Sequence, residues 1–288
     1  MIEKNALNEL KKYKAKRVLA KVLTYVLLTL CAALILIPFL FAFVTSFTEP
    51  MGIFDFKWIP SPITTENYEK LFTDYNILGG LLNTLIYILP PITIGVLTSA
   101  MAAYGFARVR FPGRNLLFFS TLATVLVPGI ITMIPSFVMY ANIYNWVGTP
   151  LPLIVPGLFG AAMTMFFMKQ YIEGIPKSLE EAAFIDGMSR GGVFFRIILP
   201  LSKTALIAQF VLSFNGAYND YLGPLLYMGT KEELFTLQLV LQKIQTKGNT
   251  PYTLMTAGAV MALIPTLTMF IFAQRYFIEG IVMTGLKE

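Results

Sequence analysis

Charged side chains are almost absent from six long stretches of this chain, residues 22–47, 79–104, 115–140, 151–168, 204–227 and 253–273. Together these make up about half of the 288 residues, yet of 22 basic and 16 acidic side chains they hold only Asp220. A charge at the centre of a spanning helix costs about 2.5–3.5 kcal/mol on insertion scales, and depletion of this size is what that cost produces. A helix needs roughly 20 apolar residues to cross the hydrocarbon. Every stretch is near or above that length, the fourth only just. The chain is therefore predicted to be an all-α membrane protein with six transmembrane helices, a single domain over residues 1–288 without internal repeats.

Only 13% of the residues are charged, against about 25% in a soluble domain. That argues against a disordered chain, a nucleic-acid reader and a disulfide scaffold. The chain has no histidine, so histidine acid–base catalysis and histidine metal sites are excluded, and the lone Cys31 lies in an apolar run. The net charge of +6 is a matter of topology. With the N-terminus inside, the inner segments 1–21, 105–114, 169–203 and 274–288 carry 17 of the 22 basic residues. The outer segments 48–78, 141–150 and 228–252 carry the other 5. The positive-inside rule then places both termini in the cytoplasm. The run Lys11, Lys12, Lys14, Lys16, Arg17 and Lys21 is a topology signal that also touches anionic lipid. The first stretch is too long for the apolar core of a signal peptide and is expected to remain as an anchor. The outer segment 48–78, rich in proline, threonine and aromatics, is expected to form short interfacial helices.

The inner segment 169–203 is too charged to span, yet it has helix grammar. Ser178 with Glu181 three residues later reads as a capping box. Glu180 and Glu181 sit in a first turn, where the helix dipole favours negative charge. Gly187 fits a left-handed C-terminal position. Ser189 can cap a second helix whose apolar residues Val193, Phe194, Ile197 and Ile198 recur at helical spacing, and Pro200 breaks or ends it. The result is a short helix–turn–helix on the cytoplasmic face, with a small surface at Ala182 and Ala183. Two readings stand side by side: an amphipathic tie between two spans, or a knob presented to a cytoplasmic partner.

Glu181-Ala182-Ala183, Asp186-Gly187 and Ile198-Leu199-Pro200 resemble the EAA loop of permease subunits of ATP-binding-cassette importers. Ala102-Ala103-Tyr104-Gly105-Phe106-Ala107-Arg108, Phe111-Pro112-Gly113-Arg114, Asn83-Thr84, Ile134-Pro135, Asn219-Asp220 and Gln274-Arg275-Tyr276-Phe277 are similar to the maltose-type carbohydrate branch, and to the shorter subunit of its permease pair. Met188 and Tyr218 depart from that pattern, standing where alanine and tryptophan are common.

The resemblance covers roughly residues 64–288. It implies a type I importer permease fold in a bacterial plasma membrane. The implied partners are a second homologous permease, two ATPase subunits, an extracytoplasmic solute-binding protein and a sugar. The loop would be the coupling helix that docks into a cleft of the ATPase. Ala182 and Ala183 would allow close approach, Glu181 would pair with a basic group of the ATPase, and Gly187 would hold both short helices as one lever. Ser178, Glu180, Asp186, Arg190 and Pro200 complete this set. Gly187→Val or Glu181→Lys is expected to uncouple transport from ATP hydrolysis.

No phosphate-binding G-x-x-x-x-G-K-[ST] occurs, and Gly229-Thr230-Lys231 has the wrong order. The chain is thus expected to bind no cofactor or metal and to carry no catalytic residues, ATP being used by partner subunits. Polar residues inside spans mark either a path or inter-helix glue. In the fifth stretch Asn215 lies roughly 16 Å up from the inner boundary and Asp220 roughly 7–8 Å further out. Asn215 and Asn219 share a helix face, as do Tyr218 and Tyr221. These five are the candidate translocation path. Pro90-Pro91, Pro128-Gly129, Pro135 and Pro265 mark expected irregularities in the spans. Lys231, Glu232 and Glu233 would touch the binding protein or be solvated. An importer of a non-carbohydrate solute is one alternative, although the spans contain no cation to hold an anion. A stand-alone channel or proton-coupled carrier centred on Asp220 is another, and it leaves the helix–turn–helix unexplained.

Overall fold

The structure, a computed structural model, describes residues 2–52, 62–229, 231–246 and 250–285, with side chains undescribed over 2–12, at 15 and over 277–285. Part of the 48–78 segment and the side chains of Lys11, Lys12 and Phe277 therefore lie outside the described residues. All regular structure among the described residues is helical: α1 (Ile2–Ser46), α2 (Glu66–Thr73), α3 (Ile77–Arg108), α4 (Arg114–Ala123), α5 (Gly129–Asn142), α6 (Leu151–Ile154), α7 (Ala162–Glu173), α8 (Ser178–Ile185), α9 (Arg190–Val193), α10 (Leu199–Leu201), α11 (Lys203–Tyr218), α12 (Leu222–Met228), α13 (Leu237–Thr246) and α14 (Tyr252–Gly285).

Among the described residues, four helical stretches are long and apolar enough to cross a membrane: Lys16–Ser46, Ile77–Arg108, Leu151–Glu173 and Tyr252–Tyr276. The remaining two expected spans are not straight helices. Arg114–Leu126 and Gly129–Asn142 meet at 97°. The cause is Pro128: a residue preceding proline is pushed out of the helical region, and Val127 is extended at φ −80°, ψ 116°. The fifth expected span ends as a helix at Tyr218 rather than Tyr227, and Arg190–Leu201 meets Lys203–Tyr218 at 74°. Pro90, Pro91, Pro135 and Pro265, expected as irregular points, lie inside continuous helices.

The chain forms two compact units. The first comprises Met1–Leu71 and Asn249–Val260. Apolar side chains along α1, such as Leu27, Leu34 and Ile37, are exposed. Its C-terminal end is tied down by the buried Asn67 of α2, whose Nδ2 donates to the carbonyls of Ser46 (3.0 Å) and Thr48 (2.8 Å). Its Oδ1 accepts from Thr253 Oγ1 at 3.2 Å. The last carbonyls of a helix find no N–H one turn further on, and here the buried amide satisfies that of Ser46 and the Thr48 carbonyl just beyond it.

The second unit comprises Phe72–Gly248 and Met261–Glu288, with α3 at its centre. One stripe of α3 is buried at helical spacing, including Tyr87, Ile88, Ile92, Val96, Ala100, Ala103 and Tyr104. It packs against α7, α11, α13 and the irregular backbone at 156–161. That irregular stretch is satisfied from α3: Thr98 Oγ1 donates to the Leu158 carbonyl at 3.0 Å, and Ser99 Oγ accepts from Ala161 N–H at 3.0 Å. Non-helical backbone in a membrane segment persists only where such partners exist. Gly160 sits here at φ +89°, ψ −177°, a region that only glycine adopts readily.

Candidate functional site

The expected helix–turn–helix is present as α8, a turn, and α9 continuing through a π-turn at Phe194–Ile198 into α10. Its apolar residues are part of the main core. Ala183, Val193, Phe194 and Ile198 are buried with Ala103, Tyr104, Met168 and Ile172, which come from α3 and α7. The Tyr104 and Phe194 rings lie 5.4 Å apart.

Several capping details differ from the sequence reading. Ser178 is not the N-cap of α8. Lys177 holds that position with helical angles (φ −66°, ψ −25°), so no capping box with Glu181 forms. The helix begins one residue early because Pro176 presets the chain: its carbonyl accepts from Leu179 N–H, and that of Lys177 accepts from Glu180 and Glu181. At the other end, Gly187 is left-handed at φ +81°. Met188 N–H donates to Ala183 O (2.9 Å) and Gly187 N–H to Phe184 O (3.0 Å), the paired bonds of a Schellman stop. Asp186 is the C-cap. Ser189 caps α9 as expected, its Oγ accepting from Gly192 N–H at 3.2 Å. Pro200 lies within the last turn of the second helix, and the bend follows two residues later at Ser202.

A helix turns about 100° per residue, and this splits the loop into two faces. Glu180 and Ala183 point inward and are buried, while Glu181, Ala182 and Asp186 are exposed. The small surface of Ala182 and Ala183 is thus half lost to the interior. In its place the outer face carries Leu179, Phe184 and Ile185, the last 86% exposed. Arg190 is exposed as well.

Glu180 has a partner that the sequence reading missed. Arg108, at the end of α3, brings Nε to 2.5 Å from Glu180 Oε1, and both side chains are only 6% exposed. Arg108 Nη2 donates to the carbonyls of Ile172 (2.7 Å) and Ile175 (2.5 Å) at the C-terminal end of α7. Tyr104 Oη donates to Glu180 Oε2 at 3.4 Å. A cation at a helix C-terminus and a carboxylate in a helix first turn are each favoured by the helix dipole.

The candidate path residues fall into two groups. Asn215, Asn219 and Asp220 are exposed and adjacent. Asn219 Nδ2 donates to the carbonyl (2.8 Å) and Oδ1 (3.1 Å) of Asn215, closing α11. Asp220 Oδ1 accepts from Gly223 N–H at 3.2 Å, which anchors the start of α12. Tyr218 turns the other way. It is 1% exposed, stacks on Phe214 and donates its hydroxyl to the Ala262 carbonyl at 2.9 Å. The helix ends between Tyr218 and Tyr221, so these two do not share a face. Tyr221 instead packs with Tyr87, Met228 and Leu239. A cavity of about 250 Å³ lies between α3 and this break, with Thr84, Tyr87, Pro91, Ser213 and Asp220 among its walls.

Near the N-terminal end of α3, Asn83 Nδ2 donates to the carbonyls of Glu233 (2.8 Å) and Phe235 (3.0 Å), and Thr84 Oγ1 accepts from Leu237 N–H at 2.8 Å. The Asn83-Thr84 pair therefore holds the start of α13 onto α3. Lys231 Nζ donates to the Gly148 carbonyl at 3.0 Å, and Glu232 pairs with Lys243 at 2.6 Å.

Residues 92–281 match the family described as binding-protein-dependent transport system inner membrane component. The chain belongs to this family. It is 34% identical to the arabinooligosaccharides transport system permease protein of Halalkalibacterium halodurans, over 79% of this chain and 81% of that protein. It is 30% identical to the trehalose transport system permease protein of Mycobacterium tuberculosis, over 91% and 96%. Among solved structures, a chain of a bacterial ABC transporter involved in the import of the acidic polysaccharide alginate superposes with a TM-score of 0.76 at 24% identity. That match covers 89% of this chain and 95% of the other. The type I importer permease fold expected from the loop motif is thus found.

In this permease the motifs Ala102–Arg108 and Asn83-Thr84 match by resemblance alone, and the structure supplies physical roles for Tyr104, Arg108, Asn83 and Thr84. No sequence periodicity pairs Arg108 with Glu180, which are 72 positions apart. The only hint was a basic residue ending a long apolar helix.

Proposed function

We propose that this permease carries a sugar or oligosaccharide into the cytoplasm across a bacterial plasma membrane, driven by ATP hydrolysis in separate subunits. Counting each bent helix pair as one crossing gives six spans with both termini cytoplasmic, in line with the bias of basic residues to the inner segments. A second, homologous permease, two ATPase subunits and an extracytoplasmic binding protein complete the assembly.

The observation that carries this reading is the two-faced helix α8. Its inner face is built into the core, while its outer face leaves Leu179, Ala182 and Ile185 uncovered beside Glu181. A short helix that is rigidly mounted and apolar outward suits a surface that docks on another subunit and passes on its rigid-body motion. The sugar assignment is supported by relatives named for arabinooligosaccharide and trehalose transport. A path flanked by amide, carboxylate and hydroxyl groups, with no cation in the six uncharged stretches of the sequence, also fits a neutral, hydroxyl-rich solute. ATP itself would be bound by the partners.

The test is to purify the tagged chain in mild detergent with its co-purifying subunits, reconstitute them with the binding protein, and measure uptake of labelled trehalose and arabinooligosaccharides. Uptake that requires internal ATP and falls with Glu181→Lys supports the proposal. A chain that purifies without an ATPase, or uptake that follows a proton gradient alone, overturns it.

A further inference from the structure

The sequence directs attention to Glu181, yet its neighbour Glu180 makes the stronger interactions. Glu180 is 5% exposed and pairs with Arg108. Through the same guanidinium, Arg108 also holds the Ile172 and Ile175 carbonyls at the end of α7. One arginine thus joins the C-terminal ends of α3 and α7 to the first turn of α8. Besides the long Tyr104–Glu180 hydrogen bond (3.4 Å), the contacts described between α8–α9 and these helices, such as Ala183 and the Tyr104–Phe194 ring pair, are apolar. Apolar contacts hold two surfaces together without fixing their register, whereas a planar guanidinium with three oxygen partners fixes direction as well as distance.

We propose that Arg108 and Glu180 are positioning residues that make α8 and the inner ends of α3 and α7 one rigid lever, so that a displacement of α8 moves both helices. This rests on the reading that α8 docks on an ATPase. It adds that the transmitting element is the buried charge pair rather than the covalent turns at 174–177 and 186–189. Loss of the pair would leave the docked helix moving while α3 stays behind.

The experiment uses the reconstituted complex with the exposed Cys31 replaced by serine and spin labels at Lys177→Cys and Met101→Cys, one on each side of the joint. Distances are measured without nucleotide and after trapping with ATP and vanadate. In the otherwise native chain the 101–177 distance should stay constant on trapping, because the lever moves as a unit. In Glu180→Gln, which keeps the side-chain shape and removes its charge, the distance should change by about 2 Å or more or broaden, the scale of helix shifts at moving interfaces. ATP hydrolysis by the complex should persist. The double variant Arg108→Gln with Glu180→Gln leaves no unpaired buried charge and gives the same readout if the single variant fails to assemble. An unchanged distance in the double variant, or a 101–177 distance that already shifts in the native chain, overturns the lever. A native complex with no ATPase to trap instead overturns the docking reading, and the lever falls with it.

Discussion

Replacing Gly187 by alanine is expected to loosen the turn between α8 and α9 by a definite amount. Gly187 holds φ +81°, and a Cβ built on it meets nothing within 4 Å. The cost is therefore the intrinsic one of putting an L-residue in the left-handed region, about 1–2 kcal/mol, with no packing term. The bonds that depend on this conformation are Met188 N–H to Ala183 O and Gly187 N–H to Phe184 O. Their opening free energy should fall by the same amount, so exchange of these two amides should accelerate about 5–30-fold. Amides in α3 and α7 should keep their protection. Asparagine tolerates the left-handed region, so Gly187→Asn should fall close to the native chain. Valine, branched at Cβ, should exceed alanine. Hydrogen exchange with mass-spectrometric readout on the detergent-purified complex measures this directly. Unchanged exchange in Gly187→Ala, or equal effects of alanine and asparagine, would refute the argument from backbone conformation.

Gly160→Ala should be far more damaging than Gly187→Ala. It combines a glycine-only conformation, costing about 1–3 kcal/mol, with a Cβ that meets Ser99 Oγ at 2.5 Å and backbone at 3.1 Å. A lower thermal midpoint of the purified complex checks it. Thr84→Val leaves the buried Leu237 N–H without its acceptor, a loss of about 1–3 kcal/mol, and should speed proteolytic cleavage around 231–246 while leaving the α8 loop protected. Tyr218→Phe removes the bond to Ala262 and costs about 1 kcal/mol of stability, but should leave uptake intact, since the hydroxyl points away from the exposed asparagines. Asp220→Asn preserves a residue able to cap α12. Uptake lost with assembly unchanged would place the carboxylate in the path, and unchanged uptake would restrict it to capping.

What was legible in the sequence follows from local rules. The cost of charge in lipid makes helical spans visible as uncharged runs, and four of the six appear at close to their expected places. Gly187 and Ser189 were legible because a left-handed stop and an N-cap are decided within a few residues of themselves. The same local rules misplaced the start of α8, where the preset backbone of Pro176 outweighed the hydroxyl of Ser178. Proline was ambiguous for a similar reason. Pro128 bends the chain, whereas Pro90, Pro91, Pro135 and Pro265 lie within continuous helices, and residue type alone does not distinguish them.

Only the tertiary structure decided which face of each polar segment is inside. Glu180 and Glu181 are chemically alike and adjacent, but a rotation of 100° gives one to a buried arginine and the other to solvent. Tyr218 and Asn219 are separated in the same way, one closing the core against Ala262 and the other capping its own helix. Asn83 and Thr84 find their partners about 150 positions away. Spans and turns are set by short-range costs that every residue carries with it. The Arg108–Glu180 joint and the packing around Tyr218 are set by pairings between distant helices, which exist only once α3 has been packed against α7, α11 and α13.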